Sequence, residues 1–217
     1  MIVGDVHGCL DELRDLLAVA PSDAELLLVG DLVAKGPDSA GVVALCRERA
    51  ARAVRGNHDE HCLRAWRADR RGEPHPRKLG PAHRQVLATL DDDAFRWLDA
   101  LPFWLRLPRD GVVVVHGGLV PDVALDAQQP EHAMTLRSIT PAGEPSKCVE
   151  HGVPWASLWR GPERAVFGHD ALRGLQRHPH ALGLDTGCVY GGTLSALLLP
   201  EDELIQIPAR RAYVDVT

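Results

Sequence analysis

Gly4-Asp5-Val6-His7-Gly8 stands near the start of the chain, directly after the short apolar run Ile2-Val3. Such a run predicts a strand, and residues i and i+2 at a strand end point to the same side. Asp5 and His7 are therefore expected to face one way, between glycines that let the backbone turn sharply. A carboxylate beside an imidazole is half of a metal site.

The same arrangement recurs along the chain, because four later apolar runs also end in polar residues flanked by glycine. These endings are Gly30-Asp31, Gly56-Asn57-His58-Asp59, His116-Gly117-Gly118 and Gly168-His169-Asp170. In α/β sheets, functional sites are built where the strands end. The sequence therefore predicts that these side chains meet at one edge of a sheet.

Strands alternate with helices in the first part of the chain, which predicts an α/β fold. Apolar runs predict strands at 2–3, 25–30 and 52–55, and helical spacing predicts helices at 10–19 and 40–49 between them. Residues 60–101 are expected to form a helical insertion within a single domain covering 1–217. Further strands are expected at 103–107, 112–115, 164–167, 181–184, 193–199 and 204–207.

Composition excludes several classes of protein. The net charge of −6 does not favour nucleic-acid binding through bulk charge, and no apolar run approaches membrane-spanning length. Met1 leads straight into the first predicted strand, so no signal peptide is expected. The five cysteines are scattered and form no CxxC pair, which favours reduced thiols in the cytoplasm. The oligomeric state is not readable from the sequence.

The polar residues at the strand ends form a mixed nitrogen and oxygen donor set. They are Asp5, His7, Asp31, Asn57, His58, His116 and His169. This set suits Mn²⁺, Fe, Zn²⁺ or Co²⁺ and has too many ligands for one tetrahedral zinc ion. It fits two ions about 3.5–4 Å apart that share a bridging carboxylate, where a bridging water loses its proton and attacks a phosphoryl group.

The ordered motifs GDVHG, GDLVAKGPDS, GNHDE, HGG and GHD resemble those of the calcineurin-like metallophosphoesterases, in the branch that contains the PPP-type phosphatases. Loop 31–39 and segment 184–194 look most like the ApaH group, the symmetrical diadenosine tetraphosphatases, and the ApaH-like phosphatases. The resemblance implies a β-sandwich flanked by helices, with a dinuclear metal centre at one sheet edge. It also implies that Asp31 bridges the two ions. The other implied ligands are Asp5 and His7 for the first ion, and Asn57, His116 and His169 for the second.

The resemblance further implies how substrate is handled. His58 would donate a proton to the leaving group, Arg55 and Lys35 would hold phosphate, and Tyr190 would lie near the site. Arg137 is open to two interpretations, since it could bind a second phosphate or pair with surface acids. The same alternatives apply to Arg160.

Ala34 departs from the pattern of the protein phosphatases in this branch. Those enzymes carry at this position an Asp that orients the catalytic histidine, whereas the ApaH group shares the alanine. Ala34 therefore makes a typical Ser/Thr protein phosphatase a less favoured interpretation of this chain. It does not imply that the chain is inactive as a phosphohydrolase.

Two groups of residues keep alternative interpretations at this stage. Trp155 and Trp159 could stack on a base or pack in the core. The basic run in the insertion could be a solvated face or a positive rim over an anionic substrate. Its members are Arg64, Arg67, Arg70, Arg71, Arg77, Lys78 and Arg84.

The predicted function is metal-dependent hydrolysis of phosphoanhydride or phosphoester bonds. The expected protein is an ApaH-like phosphatase acting on dinucleoside polyphosphates or polyphosphate, with a phosphomonoesterase or phosphoprotein phosphatase as the alternative. A non-catalytic nucleotide or phosphate sensor is the outside alternative, but it predicts a missing ligand and none of the six is missing. Two divalent ions are the expected cofactors, with Mn²⁺ first and Fe, Zn²⁺, Co²⁺ or Ni²⁺ as alternatives.

Overall fold

The chain forms thirteen strands and seven α-helices within residues 1–75 and 78–214, which are the residues that this computed structural model describes. The helices are α1 (Leu10–Val19), α2 (Ser39–Glu48), α3 (Asn57–Arg71), α4 (Pro81–Thr89), α5 (Asp92–Asp99), α6 (Pro130–Thr135) and α7 (Trp155–Leu158). The strands are β1 (Ile2–Val3), β2 (Leu27–Leu28), β3 (Arg52–Ala53), β4 (Trp104–Leu107), β5 (Val112–Val115), β6 (Ser138–Ile139), β7 (Pro145–Ser146), β8 (Val153–Pro154), β9 (Arg164–Phe167), β10 (Gln176–His178), β11 (Ala181–Gly183), β12 (Thr193–Leu198) and β13 (Glu203–Pro208). Arg77, a member of the predicted basic run, lies outside the described residues.

Two mixed sheets of five strands form the centre of the fold. The first has the strand order β13-β12-β1-β2-β3, in which β1, β2 and β3 are parallel and β12 and β13 are antiparallel. The second has the order β10-β11-β9-β5-β4, in which β11, β9 and β5 are parallel and the two edge strands are antiparallel. The parallel strands at the centre of each sheet deliver their carboxyl ends to one edge.

The two sheets pack against each other through alternate residues of their strands. Val112 and Val114 of β5 belong to the same buried cluster as Ile2 and Leu27 of the first sheet. Val113, between them, belongs to a different cluster on the outer face of the second sheet. This alternation is the period of two expected for a strand covered on both faces. The expected α/β fold with a central β-sandwich is therefore confirmed.

Helices α1 to α5 cover the outer face of the first sheet. Leu13 and Leu16 of α1, Val42 of α2 and Phe95 of α5 share one buried cluster with Val3 of β1. Leu13 and Leu16 recur at helical spacing, so one apolar face of α1 packs on the sheet. None of the described helices combines the length and the apolarity that a membrane crossing requires.

The outer face of the second sheet is covered by the irregular segment between β5 and β9. Trp155 of α7 is 1% exposed and packs with Trp159 and Phe167. The indole nitrogen of Trp155 donates to the Gly117 carbonyl oxygen over 3.0 Å. Both tryptophans are thus core residues, as in the second interpretation of these side chains.

The boundaries of several elements differ from those predicted. The first helix of the insertion expected from residue 60 begins at Asn57, and the strand expected at 25–30 pairs only at Leu27–Leu28. Strand β10 (Gln176–His178) was not predicted. Helix α3 begins early because the Asp59 side chain accepts a hydrogen bond from the Gly56 N–H and caps its first turn.

Candidate metal centre

The predicted ligands converge where the parallel strands of both sheets end. Asp5 and His7 follow β1, Asp31 follows β2, and His116 and His169 follow β5 and β9. Asn57 follows β3 as the first residue of α3. Five of these six residues line one cavity of about 610 Å³, and His116 is buried behind it. The structure therefore brings together residues as far apart in sequence as positions 5 and 169.

Backbone conformation at the site is specialised. His7, Asp31 and His169 all have positive φ angles, of 47°, 49° and 69°. Non-glycine residues rarely adopt this left-handed conformation, and such residues cluster at functional sites. Neighbouring glycines allow close approach: a Cβ at Gly56 would collide with the Asp31 carboxylate, and one at Gly168 would collide with that of Asp5.

Asp31 lies at the centre of the site. Its Oδ2 is 3.4 Å from the Nε2 of His7 and 3.4 Å from the Nε2 of His116. Burial favours a higher pKa for this carboxyl, but His116 and His58 hold the pKa of Asp31 well below its usual range. Asp31 is thus a carboxylate with one oxygen close to two imidazoles.

Two groups of ligand atoms share Asp31. His7, Asp31 and His58 form one group, and Asp31, His116 and His169 form the other. Within each group the ligand atoms lie within 4.8 Å of one another. The shared carboxylate is the feature that a bridged pair of ions requires.

Hydrogen bonds orient the imidazoles of the site. His7 Nδ1 lies 3.2 Å from the Val33 carbonyl oxygen, and His116 Nδ1 lies 2.9 Å from that of Val29. With Nδ1 occupied by a backbone acceptor, each ring presents Nε2 to the site. Metal-binding histidines are commonly held in this way. His116 Nε2 also lies 3.0 Å from the Asn57 Oδ1.

Several observations fit the presence of divalent cations here. His169 Nε2 is buried and has no hydrogen-bond partner among the described residues. Burial, with His116 and Arg137 nearby, places the pKa of His169 well below its usual range, so its imidazole is neutral and able to coordinate. Burial and the neighbouring Asp185 raise the pKa of Asp5, and a bound cation would offset the charge of this carboxylate. The Lys35 ammonium group lies 3.1 Å from His7 Nε2, so this nitrogen faces a positive charge of the protein itself.

His58 is placed at the start of α3, beside the ligands. Its backbone N–H donates to Asp31 Oδ1 over 2.8 Å, and its side chain lines the cavity. Burial lowers the pKa of His58 to about 4. Asp31 favours a higher pKa, whereas Lys35 and His83 also lower it.

The remaining cavity wall carries positive and aromatic side chains. Lys35 lies 5.2 Å from the centroid of the Tyr190 ring, and both line the cavity. Arg137 also lines it and donates to the His169 carbonyl oxygen over 3.0 Å. These three residues therefore lie on the wall of the cavity that the predicted ligands also line.

Arg55 is not among the described residues that line the cavity. Its Nη1 donates to Glu60 Oε2 over 2.9 Å, and its Nη2 donates to the carbonyl oxygens of Asp99 and Leu101. Its guanidinium carbon lies 5.0 Å from the centroid of the Phe103 ring. These contacts use the guanidinium inside the fold, so the structure does not bring Arg55 to the place expected for a phosphate-binding residue.

The basic run of the insertion is largely paired with acidic side chains. Arg64 and Arg67 contact Glu60, and Arg70 contacts Asp92. These pairs agree with the first interpretation, a solvated face. Arg160 is exposed and is not among the described residues that line the cavity.

Three residues that the sequence analysis did not assign belong to the surroundings of the site. Asp59 accepts from the backbone of the Asp31 loop, His83 lies against His58, and Asp185 lines the cavity. Burial raises the pKa of Asp185 to about 6. Asp185 follows β11 and precedes Gly187, so the strand-end pattern could have identified it. Nothing in the local sequence marks His83.

The order and geometry of these ligands agree with a sequence comparison. The sequence profile described as calcineurin-like phosphoesterase matches residues 1–182. The chain belongs to the calcineurin-like phosphoesterase family. Family members are metal-dependent hydrolases of phosphoric ester and anhydride bonds, so the predicted class of enzyme is confirmed.

Curated relatives and solved structures narrow the comparison within this family. A symmetrical bis(5'-nucleosyl)-tetraphosphatase of Ralstonia nicotianae is 32% identical over 275 residues, covering 97% of this chain and 94% of the relative. An asymmetrical one, PrpE of Halalkalibacterium halodurans, is 29% identical over 238 residues, covering 98% and 95%. A crystal structure of a protein provisionally described as a diadenosine tetraphosphatase is 40% identical, with a TM-score of 0.84 and coverage of 96% and 92%. A metallophosphoesterase of Sphaerobacter thermophilus, 17% identical with a TM-score of 0.59, shares the fold.

Proposed function

We propose that this chain is a dinuclear metal-dependent phosphohydrolase that cleaves dinucleoside polyphosphates. The observation that carries the proposal is the Asp31 carboxylate, which belongs to both groups of ligand atoms. Relatives named as bis(5'-nucleosyl)-tetraphosphatases, both symmetrical and asymmetrical, support the choice of substrate class. Polyphosphate is a second substrate with the same linear phosphoanhydride chemistry.

Each ion has a set of residues that would hold it. Asp5, His7 and Asp31 would hold the first, and Asp31 would share the second with Asn57, His116 and His169. Mn²⁺ is the expected ion because the donors are carboxylate, amide oxygen and imidazole without thiolate; Fe, Zn²⁺, Co²⁺ and Ni²⁺ are the alternatives. When bound, such ions supply Lewis-acid polarisation of the phosphoryl oxygens and lower the pKa of water.

The protein's own side chains then act on the substrate. Lys35 and Arg137 bring positive charge to the cavity wall and hold the phosphate chain, while Tyr190 offers a ring beside Lys35. His58 donates the proton that the leaving oxygen needs. The negative charge of a bound phosphate favours the protonated form of His58.

A phosphomonoester substrate, including phosphoprotein, is the second candidate. The alignment with the Ralstonia relative extends over 275 positions, more than the 217 residues of this chain, so the relative carries residues that this chain lacks. A chain with fewer residues available to surround the cavity favours a smaller substrate. We also propose the cytoplasm as the location, because all five cysteines are free thiols.

The proposal is tested by turnover of metal-stripped protein with and without Mn²⁺. The substrates are diadenosine tetraphosphate, long-chain polyphosphate, p-nitrophenyl phosphate and a tyrosine phosphopeptide, with products separated by chromatography. We expect Mn²⁺-dependent release of nucleotides with the highest kcat/KM on diadenosine tetraphosphate. A higher kcat/KM on the monoesters than on diadenosine tetraphosphate would instead favour the second candidate, a phosphomonoester substrate.

Asp31→Asn is the variant that tests the shared carboxylate, and the exposed Asp23→Asn is its control. We expect the first to lose at least about 10³-fold of the Mn²⁺-dependent kcat, since an amide is a poor bridge between cations. Titration calorimetry should also show that Mn²⁺ binding is weakened. Asp31→Asn with the kcat and metal affinity of the control would contradict a shared dinuclear site.

A further inference from the structure

His83 provides a hydrogen-bonding partner for the predicted proton donor. It lies on α4, inside the helical insertion, and its Nε2 is 3.0 Å from Nδ1 of His58. The planes of the two rings are only 4° apart, so the lone pair of one nitrogen can face the N–H of the other. The two residues come from different helices, 25 positions apart in the sequence.

His61 stacks on the same imidazole. The centroids of the His61 and His83 rings are 4.3 Å apart, with their planes 22° apart. His61 follows His58 by three residues on α3, which places both rings on one side of that helix. His83 is therefore held against α3 through two contacts, and its position relative to His58 is well defined.

Position 34 offers no side chain for the same purpose. Ala34 is 1% exposed, its side chain is a methyl group, and its N–H donates to Ser39 Oγ over 3.0 Å. The partner of His58 at Nδ1 is therefore the His83 imidazole and not a side chain from position 34.

We propose that His83 is the positioning residue for His58: it accepts a hydrogen bond from Nδ1 and leaves Nε2 as the nitrogen that serves the substrate. The inference rests on the proposed function, because it assumes that His58 is the proton donor. It also assigns a role to the helical insertion, which carries His83 to the site.

The proton balance of the step is simple. A doubly protonated His58 gives its Nε2 proton to the leaving oxygen, so one N–H bond breaks and one O–H bond forms. The proton on Nδ1 stays in the hydrogen bond to His83 throughout. His83 Nε2 lies 3.0 Å from His58 Nδ1 and can act as the acceptor, because a neutral imidazole that carries its proton on Nδ1 has a lone pair on Nε2.

The kinetic test compares His83→Phe with His58→Ala in the Mn²⁺-loaded enzyme. Phe keeps an aromatic ring for packing but cannot accept a hydrogen bond. We expect His83→Phe to lower kcat about 10–100-fold on an alkyl phosphate, with KM nearly unchanged. On p-nitrophenyl phosphate the loss should be less than about threefold, because p-nitrophenolate leaves without needing a proton. His83→Gln, whose amide oxygen can accept from Nδ1, should recover part of the loss. His75→Ala, in the exposed part of the same insertion, is the matched control and should behave as the wild type.

A double variant separates positioning from general destabilisation. In the His58→Ala background, His83→Phe should cause no further loss, because His83 acts only through His58. Additive losses, or equal losses on the two substrates, would overturn the inference. Equal losses on both substrates in His58→Ala itself would instead remove the proton-donor role from the proposed function, which keeps the two failures distinct.

An NMR measurement tests the hydrogen bond without any turnover. Long-range ¹H–¹⁵N spectra of the metal-free protein at neutral pH report which ring nitrogen of each histidine is protonated, and the His58→Ala spectrum assigns the signals. We expect His58 to be the Nδ1–H tautomer in the wild type and to lose this preference in His83→Phe. An Nε2–H tautomer in the wild type would overturn the inference even if the kinetic variants fail to fold.

Discussion

Arg55 shows how little the position of a residue in the sequence says about the direction of its side chain. It lies two residues before the predicted ligand Asn57, yet its side chain is buried against Glu60 and Phe103. Its guanidinium also donates to the carbonyl oxygens of Asp99, the last residue of α5, and of Leu101 just after that helix. In this structure Arg55 joins the insertion to the end of β3.

The Arg55→Met variant should therefore affect stability and not substrate binding. Glu60 keeps Arg64 and Arg67 as partners, so the loss comes mainly from buried oxygen acceptors that no longer receive a hydrogen bond. We expect the free energy of unfolding to fall by about 1–3 kcal/mol. Urea denaturation of the metal-free protein measures it. Arg52→Met, which breaks the exposed pair with Glu25, should change it by less than about 0.5 kcal/mol. A raised KM with unchanged stability in Arg55→Met would instead return this residue to the substrate site.

At the scale of elements, Asp59 connects the loop after β2 to the start of α3. Its Oδ1 accepts from the N–H groups of Leu32 and Val33 at 3.0 and 3.2 Å, and its Oδ2 accepts from that of Gly56 at 2.9 Å. The side chain is fully buried. The segments that carry Asp31 and Asn57 are thus held together by one carboxylate that need not contact a metal ion.

Asp59→Asn replaces one acceptor oxygen by an amide NH2 group, which is a donor and would face a backbone N–H donor. We expect the free energy of unfolding to fall by about 1–3 kcal/mol, since a buried donor loses its partner. Mn²⁺ affinity should fall as well, because the two ligand-bearing segments are no longer tied, and calorimetry can measure this at a temperature where the variant is folded. Asp69→Asn, exposed on the same helix, is the control. Unaltered stability and metal affinity in Asp59→Asn would contradict this role.

At the scale of the whole molecule, helix α1 near the start of the chain contacts the last part of the described chain. Glu12 of α1 accepts from the Arg210 N–H at 2.9 Å and from the Tyr213 hydroxyl at 2.7 Å. The Tyr213 N–H in turn donates to the Val189 carbonyl oxygen, next to the cavity residue Tyr190. The C-terminal segment therefore supports the wall that carries Tyr190.

Glu12→Leu removes the oxygen that accepts both hydrogen bonds and should loosen this wall. We expect KM for the substrate to rise severalfold, with kcat less affected, because the ligand cluster itself is untouched. Hydrogen exchange should become faster in segment 185–192. Glu48→Leu, at an exposed position of α2, is the control. Unchanged KM and exchange in Glu12→Leu would show that the wall is stable without this anchor.

Much of the fold was predictable because its information is local. The helical spacing of Leu13 and Leu16 and the apolar run Val112–Val115 identify their elements correctly. The resemblance supplied the sandwich, which the family match confirms. The roles of the metal ligands remain predictions that the convergence of Asp5, Asp31 and His169 supports.

By itself, the sequence determined the order of the elements, the family and the type of donor at each strand end. Only the tertiary structure decided that Arg55 lies away from the cavity, that Asp59 ties two segments together and that His83 reaches His58. The physical reason is that periodicity and glycine-flanked turns act over a few residues. The orientation of an insertion, and the contacts of a side chain within it, depend on packing between elements that are distant in the sequence.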